Sequence, residues 1–285
     1  MALGLFDQTL IVVRGGGDLA SGVIYRLHRA GFPVVVTELE TPLLVRRMAS
    51  FGEAMYSGFI SIEGVTARFT ASLEGVPSIH RMREVPVVMD PNGESLQLLK
   101  PFAVVDGRMA KVNLGTTMSD ASLVVALGPG FMAGEDCHAV IETNRGHNLG
   151  RAIYHGSAEP DTGEPGKVEG LTHTRVLRAP TEGHVEPHAV IGDSLEAGQL
   201  IAQVNSQQIL APFKGVLRGL IQERVWVTAG MKIGDLDPRA KREHCFTISD
   251  KSLAVGGGAL EVVLAALHHM SVLSSHPSNF LSGER

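Results

Sequence analysis

The sequence predicts an α/β protein with a mostly parallel, Rossmann-like sheet and a second, small β domain. An apolar run, Leu10–Val13, ends in three glycines and is followed at once by apolar residues at helical three- and four-residue steps. Further apolar runs in the first half are rich in β-branched residues and lack alternation, as expected for strands covered on both faces. Two stretches of the second half repeat one another, which indicates a duplicated β unit.

The first strand, turn and helix form a candidate phosphate loop. Gly15, Gly17 and Ala20 fit G-x-G-x-x-[G/A], a pattern in which backbone amides approach a phosphate at a helix N-terminus. The candidate cofactor-binding residues here are Gly15, Gly16, Gly17 and Asp18. A second predicted strand ends at Glu38, 38 − 15 = 23 residues after the first glycine, where an acid commonly binds a ribose hydroxyl. The carboxylate of Asp18 is unfavourable beside a phosphate unless it caps the helix or holds a cation.

The segment after Glu38 predicts a helix and then a hairpin. Thr41 and Pro42 form a start signal for a helix that is expected to run through Met48. Residues 54–70 alternate in a strand-like way around two glycine-containing turns, which predicts a β-hairpin.

Later predicted strands end in loops that carry glycine or charge. Because ligands of open α/β sheets lie outside the carboxyl ends of the strands, these loops are predicted to converge on one site. The candidates in them are Arg108, Gly128, Gly130 and Arg145, with Lys111 as a further cation. The interpretation rests on the group, since a single arginine in such a loop is more often part of a surface ion pair.

The second half contains an internal duplication. Residues 179–183, Ala-Pro-Thr-Glu-Gly, align with residues 211–215, Ala-Pro-Phe-Lys-Gly, at an offset of 211 − 179 = 32. The same offset maps Val185 onto Leu217 and Leu200 onto Lys232. This pattern resembles the biotinyl/lipoyl-type barrel-sandwich fold. Carriers of that fold place a modified lysine between the repeats, but residues 204–209 contain no lysine, so neither covalent biotin nor covalent lipoate is expected.

Composition shifts predict four segments. Residues 1–154 are expected to form the Rossmann-like domain, and the Gly- and Pro-rich residues 155–175 a linker or lid. Residues 176–240 are expected to form the duplicated β barrel-sandwich domain. Residues 241–285 predict a helix that packs back on the first domain, with a disordered tail after Ser271. The three glycines of Gly256–Gly258 are interpreted as positions of close helix packing rather than as a second phosphate loop.

Charge and composition exclude several classes of partner. A net charge of −5, a pI near 6.2 and 5% aromatic residues give no reason to expect nucleic acid or an anionic membrane. Two cysteines and no recognisable signal peptide favour a reducing, cytoplasmic location. No metal site is predicted, because His138, His147, His155 and Cys137 match no closed zinc spacing. No nucleophile–base pair stands out, so catalytic residues stay unassigned.

Several motifs together resemble one family over roughly residues 10–268. They are residues 13–22 (VRGGGDLASG), 27–31 (LHRAG), 36–39 (VTEL), 127–131 (LGPGF), 142–151 (ETNRGHNLGR), 232–239 (KIGDLDPR) and 254–258 (AVGGG). They resemble the YqeB-type proteins of the selenium-dependent molybdenum hydroxylase system. The resemblance implies an accessory role in maturing such a hydroxylase, beside the molybdenum cofactor or its selenium ligand. The implied partners are a hydroxylase subunit or a cofactor-handling protein.

The residues are compatible with that role and leave two others open. The molybdenum cofactor, or a nucleotide-like anion, would suit the turn at Gly15–Gly17 with Arg108 or Arg145 as partners. A nicotinamide- or flavin-dependent oxidoreductase is supported by the glycine turn and Glu38, but no acid/base residue for a hydride site is evident. A non-catalytic interaction module built around the β unit is the third possibility.

Overall fold

The computed structural model describes residues 4–161 and 173–275 and contains a nine-stranded mixed sheet. Its strands are β1 (Ile11–Arg14), β2 (Val34–Glu38), β3 (Phe59–Ile62), β4 (Val65–Thr70), β5 (Val85–Met89), β6 (Ala103–Asp106), β7 (Leu123–Leu127), β8 (Ala139–Ile141) and β9 (Ala152–Ile153). Their order is β3-β4-β5-β2-β1-β6-β7-β8-β9. The pairings β3–β4 and β8–β9 are antiparallel, and the six between β4 and β8 are parallel, which confirms the mostly parallel sheet.

The strand order reverses between β1 and β6. The run β5-β2-β1-β6-β7-β8 has the 3-2-1-4-5-6 order of doubly wound sheets. The chain moves outward from β1 in one direction through β2 and β5, and then returns to the other side of β1 at β6. Such a reversal is where open α/β sheets bind ligands.

Helices cover both faces of this sheet. They are α1 (Asp18–Arg29), α2 (Ala54–Ser57), α3 (Val76–Arg81), α4 (Ser95–Leu99) and α5 (Asp250–Ser275). Side chains alternate along β1, so Ile11 and Val13 join the core with α1 and α5, while Val12 packs with Leu96 and Leu99 of α4. The β-branched runs therefore lie between two layers, as predicted.

Helix α5 lies against α1 with the backbones almost in contact. An added Cβ at Gly256 would lie 2.2 Å from the carbonyl oxygen of Gly22, and one at Gly258 would lie 2.0 Å from that of Gly150. By length and composition, α5 from Asp250 to Met270 could cross a membrane, and a third of its window is buried in the protein. Val255 and Val262 of this helix are buried in the core beside the sheet.

The second half forms two four-stranded antiparallel sheets. Their strands are β10 (Val176–Arg178), β11 (Gly183–Pro187), β12 (Ser194–Leu195), β13 (Leu200–Val204), β14 (Gln207–Leu210), β15 (Gly215–Leu220), β16 (Trp226–Val227) and β17 (Lys232–Asp237). One sheet has the order β10-β17-β15-β12 and the other β14-β13-β11-β16. Strands β11, β12 and β13 begin 32 residues before β15, β16 and β17, and the paired strands occupy matching places in opposite sheets. The duplication seen in the sequence is therefore present in the structure.

The helix predicted from Thr41 to Met48 is wrong. Within that segment the chain is irregular until a 3₁₀ turn at Arg47–Ala49. The cause is packing, because the added Cβ of Gly219 in β15 would lie 2.8 Å from the carbonyl oxygen of Val45. Arg46 and Arg47 also donate hydrogen bonds to distant carbonyl groups. The predicted hairpin is present as β3 and β4, preceded by α2.

Two predicted segments fall partly outside the description. Residues 162–172, most of the predicted linker or lid, lie outside the described residues. Helix α5 continues to Ser275, and the rest of the predicted tail, residues 276–285, also lies outside them.

Candidate functional site

The first two glycines of the loop are enclosed by the protein itself. The Gly15 amide donates to the Thr37 carbonyl, and the Gly16 amide donates to Oε1 of Glu38 at 2.7 Å. The Gly52 amide in turn donates to the Gly16 carbonyl at 2.9 Å. An added Cβ at Gly16 would lie 2.6 Å from the Gly52 nitrogen, so packing requires this glycine. The amides of Gly15 and Gly16 are therefore already used within the fold.

The Glu38 carboxylate binds the glycine loop and not a ribose hydroxyl group. Its carboxylate is buried at the end of β2, and Oε2 accepts the Leu39 amide at 2.9 Å. Burial raises the pKa of Glu38, and the hydrogen bonds from the Gly16 and Leu39 amides oppose that rise. In this conformation the carboxylate faces the glycine loop, so it is not presented to a ribose hydroxyl as the sequence predicted.

Gly17 differs from its two neighbours because packing does not require it to be glycine. It is the N-cap residue of α1, with φ −69° and ψ −177°, a conformation open to any residue. An added Cβ would meet only the Leu44 methyl group Cδ2, at 3.8 Å. No side chain caps α1, although Ser, Asp or Asn at this position would satisfy its free amides. The absence of a side chain leaves the positive end of α1 open in front of Gly17.

The N-terminal ends of α1 and α5 meet at this place. The Ser252 hydroxyl, in the first turn of α5, donates to Oδ1 of Asp18 at 3.0 Å. An added Cβ at Gly22 would lie 1.9 Å from the Ser252 carbonyl oxygen, so the two helices pack backbone against backbone here. Two helix N-termini carry partial positive charge at one point, which favours an anion there.

Three basic side chains add to this positive charge. Arg46 is buried and forms an ion pair with Asp18 at 2.6 Å, which neutralises the acid that the sequence made unfavourable for phosphate. Desolvation lowers the pKa values of both Lys232 and Lys251. The charge of Asp235 opposes this most for Lys232, and the charge of Asp18 opposes it for both lysines. Within the described parts of the chain, neither lysine has a carboxylate within 4.0 Å. Both ammonium groups therefore remain available to an anion near Asp18.

Lys232 combines solvent exposure with partial desolvation. The residue is exposed, yet enough protein surrounds its side chain to lower the pKa of the ammonium group. It is the first residue of β17, and the charge of Asp18 acts on its ammonium group, so the second half of the chain approaches the N-terminus of α1 here. We call the group Gly17, Asp18, Arg46, Lys232 and Lys251 the anion cleft.

The remaining predicted residues divide into one at the rim of the anion cleft and others away from it. Arg145 pairs with Asp250 at 2.7 Å, one residue from Lys251, and its charge lowers the pKa of that lysine. Gly128 and Gly130 have φ values of +72° and +102° and pack against Thr143 and the backbone of Lys111. Backbone conformation and local packing explain why these two positions are glycine, and the structure does not bring them to Gly17.

Arg108 is committed to a buried carboxylate. Its Nη2 lies 2.5 Å from Oδ2 of Asp106, and its Nε lies 3.1 Å from Oδ1. Burial alone would raise the pKa of Asp106, but hydrogen bonds from Arg108 and Thr116 outweigh it, so the pKa lies below its ordinary value. Arg108 is thus in an internal ion pair instead of the predicted anion contact.

This pair has a testable dependence on pH. Because the pKa of Asp106 is lower in the folded protein, its stabilisation is complete above about pH 4 and is lost as the pH falls through the folded value. We expect Asp106→Asn to lose about 3 kcal/mol at pH 7 and to show a flatter decline of stability between about pH 4 and 2. Urea unfolding across that range measures both. Parallel curves for the two proteins would contradict the assignment.

Other features bear on the site only indirectly. A cavity of about 370 Å³ lies in the second half, lined by residues that include His188, Asp193 and Gln199, and it contains none of the predicted site residues. Within residues 4–161 and 173–275, no three His, Cys, Asp or Glu side chains are grouped as metal ligands.

Sequence reasoning missed Arg46, Lys232 and Lys251. They lie in three segments far apart in the chain, so no local spacing joins them to the glycine loop. One signal was present in the sequence. At one aligned position of the 32-residue repeat, the first copy has the apolar residue Leu200 and the second copy has Lys232. A lysine in place of an apolar residue indicates that this position has a different role in the second copy.

Comparisons with known proteins identify a relative but assign no activity. No protein-family model matches the chain. Two solved structures align at low similarity: an aspartoacylase family protein from Mesorhizobium loti and a succinylglutamate desuccinylase/aspartoacylase from Rhodobacter sphaeroides. They are 13% and 14% identical, cover 80% and 81% of this chain and 84% and 85% of their own, and have TM-scores of 0.24 and 0.26. Values this low support no argument about the fold.

A curated relative matches most of the chain. The uncharacterized protein YqeB of Escherichia coli (strain K12) is 45% identical over 259 residues, which is 91% of this chain and 48% of the relative. The chain thus spans about half of the length of the curated relative that it matches. Over that shared part, the chain is a YqeB-type protein.

Proposed function

We propose that this chain is an accessory factor for a selenium-dependent molybdenum hydroxylase and binds the molybdenum cofactor, or a nucleotide-like anion, in the anion cleft. The accessory role comes from the family resemblance. The observation that carries the ligand class is Gly17, an N-cap glycine without a packing reason, in front of the meeting N-termini of α1 and α5.

The residues of the anion cleft fit a phosphorylated ligand. Molybdopterin carries a phosphate, which needs backbone amides and cations rather than apolar surface. The open N-terminus of α1 supplies the amides, and Lys232 and Lys251 supply two ammonium groups without carboxylate partners among the described residues. Asp18 is already neutralised by Arg46, which reduces its repulsion of an incoming anion.

The small β unit fits a partner-binding role in this proposal. Its duplicated strands in matching places of two sheets support the barrel-sandwich assignment. Because Lys232 belongs to this unit and faces the anion cleft, a hydroxylase subunit or cofactor-handling protein that binds the unit would sit close to the ligand. The segment joining the repeats, residues 204–209, has no lysine, so the unit is not proposed to carry biotin or lipoate.

One observation favours a nicotinamide- or flavin-dependent oxidoreductase as a second candidate. The order β5-β2-β1-β6-β7-β8 is the order of dinucleotide-binding sheets, with Glu38 at the end of β2. Its carboxylate holds the Gly16 amide, so a dinucleotide would first have to displace that contact. A ligand could bind in the anion cleft without displacing the hydrogen bond between Gly16 and Glu38, and for that reason we favour the first candidate.

Binding experiments with the full chain test the two candidates. Isothermal titration with pyrophosphate, isolated molybdenum cofactor, NAD and FAD is compared between the wild type, Gly17→Glu and Lys251→Met. We expect Gly17→Glu to lose at least about tenfold in affinity for pyrophosphate and molybdenum cofactor, and Lys251→Met to lose several-fold. Lys214→Met, an exposed lysine paired with Glu196, is the matched control and should bind normally.

Two results would overturn the main proposal. Equal pyrophosphate affinity in the wild type and Gly17→Glu would show that pyrophosphate does not bind in the anion cleft. Tight binding of NAD or FAD, with none of molybdenum cofactor, would favour the oxidoreductase.

A further inference from the structure

Another basic side chain, Arg14, lies buried on the opposite face of the sheet from α1. It ends β1 at the strand-order reversal and follows Val12 by two residues, so it points to the same face as Val12, the face covered by α4. Arg14 is only 6% exposed. A buried guanidinium group is costly unless hydrogen-bond acceptors and a counter-ion surround it.

The donors of Arg14 are mostly unused. Its Nη1 donates to the Thr116 hydroxyl at 2.9 Å. Across the described part of the chain, Nε and Nη2 donate to no protein atom. Unpaired polar atoms that are fully buried include neither of these two nitrogens. Both nitrogens are therefore accessible to solvent.

The three carboxylates near Arg14 are each engaged elsewhere. Asp106, opposite it in the sheet register, accepts hydrogen bonds from Arg108 and Thr116. Asp120 lies 3.8 Å from Nη1 and accepts the amide and hydroxyl groups of Thr117. Asp90 accepts the amides of Glu94 and Ser95. They lower the cost of the buried charge from a distance, but none fills the open side of the guanidinium group.

Gly93 leaves that open side uncovered. It has φ +78°, which favours glycine, and a Cβ added to it would lie 3.0 Å from Nη2 of Arg14. A side chain at this position would therefore cover the free donors. Nε and Nη2 form one edge of the planar guanidinium group, and two parallel N–H donors on one edge match the two oxygens of a carboxylate.

We propose that Arg14 binds the carboxylate group of a small molecule, between β1 and the turn that contains Gly93. This site is separate from the anion cleft, since Arg14 and α1 lie on opposite faces of the sheet. A carboxylate is expected over a phosphate because one planar edge is free and the nearby carboxylates of Asp90, Asp106 and Asp120 disfavour the second negative charge of a phosphate dianion.

Nuclear magnetic resonance of the full chain tests this proposal directly. The arginine Nε–H signals of ¹⁵N-labelled protein are followed as sodium acetate is added, with sodium chloride at equal ionic strength as control. Arg14→Met identifies the Arg14 signal. We expect that signal to shift saturably with acetate, and at least about threefold less with inorganic phosphate. A shift equal to that in chloride, or a larger shift with phosphate, would overturn the proposal.

Stability separates a binding role from a structural one. In Arg14→Met, Asp106 and Thr116 keep their bonds to Arg108, so no polar group is left unpaired. We expect this variant to unfold at or above the wild-type temperature and to lose the rise that acetate gives the wild type. A clear fall in its unfolding temperature would show that Arg14 is structural and contradict the proposal. Gly17→Glu must keep the acetate response, even if the anion cleft proves not to bind anions.

Discussion

Gly258→Ala should destabilise the protein by about 3 kcal/mol or more, although alanine is the better helix former by about 1 kcal/mol. The new Cβ would lie 2.0 Å from the Gly150 carbonyl oxygen and 3.1 Å from the Ile141 side chain. Because the nearest atom is backbone, no side-chain rotation relieves the overlap, and α5 would have to move away from the sheet. Gly256→Ala should behave similarly, since its Cβ would lie 2.2 Å from the Gly22 carbonyl oxygen.

Gly257 provides the matched control within the same helix. A Cβ there has no atom within 4 Å outside its own helix, so Gly257→Ala should gain about 1 kcal/mol from helix propensity alone. Urea unfolding of the three variants measures the difference. If all three gained stability, the close packing of α5 on Gly22 of α1 and on Gly150 would be wrong, and its apolar residues would need another environment, such as a membrane.

The fold of the first half was largely predictable because its signals are local. The apolar run Leu10–Val13, its glycines and the helical spacing after them identify β1 and α1 within one or two residues. The duplication was equally visible, because a fixed 32-residue offset needs no knowledge of contacts. The helix expected after Thr41 failed because start signals compete with tertiary contacts, and here Gly219, distant in sequence, packs directly on Val45.

The candidate site was predictable only in part. The sequence identified Gly17 and Asp18, since they belong to one motif. It did not show that Gly16 and Glu38 satisfy each other, because a glycine required by packing and one required by a ligand look the same in sequence. It also predicted that Arg108 contacts an anionic ligand, although Arg108 forms an ion pair with Asp106, two residues earlier. Residues such as Lys251 join the site through helix packing, which no spacing reveals.

Asp18→Ala should lose about 3 kcal/mol in dilute chloride and regain much of it in phosphate. Removing one partner of a buried ion pair leaves the other charge uncompensated, a loss of about 3–5 kcal/mol when both are fully buried. The Asp18 side chain is 32% exposed and that of Arg46 only 8%, so the lower end of that range applies. Ser252 also loses its acceptor.

Phosphate should restore stability because it can take the place of the lost carboxylate. With Asp18 gone, Arg46, Lys232 and Lys251 face the N-terminus of α1 without the acid that opposed an incoming anion. An anion bound only to the folded state at 100 times its dissociation constant adds about 2.7 kcal/mol. Thermal unfolding in phosphate and in chloride at equal ionic strength therefore measures the occupancy of the anion cleft.

Arg46→Met separates this replacement from a general salt effect. That variant also breaks the pair, and it frees the carbonyl groups of His244 and Thr247, so it too should be less stable. It leaves no buried guanidinium group in need of an anion, and the carboxylate of Asp18 then repels phosphate. Phosphate should rescue Asp18→Ala and not Arg46→Met. If phosphate raised the stability of both variants equally, it would be acting on the protein surface in general. That result would contradict phosphate binding in the anion cleft.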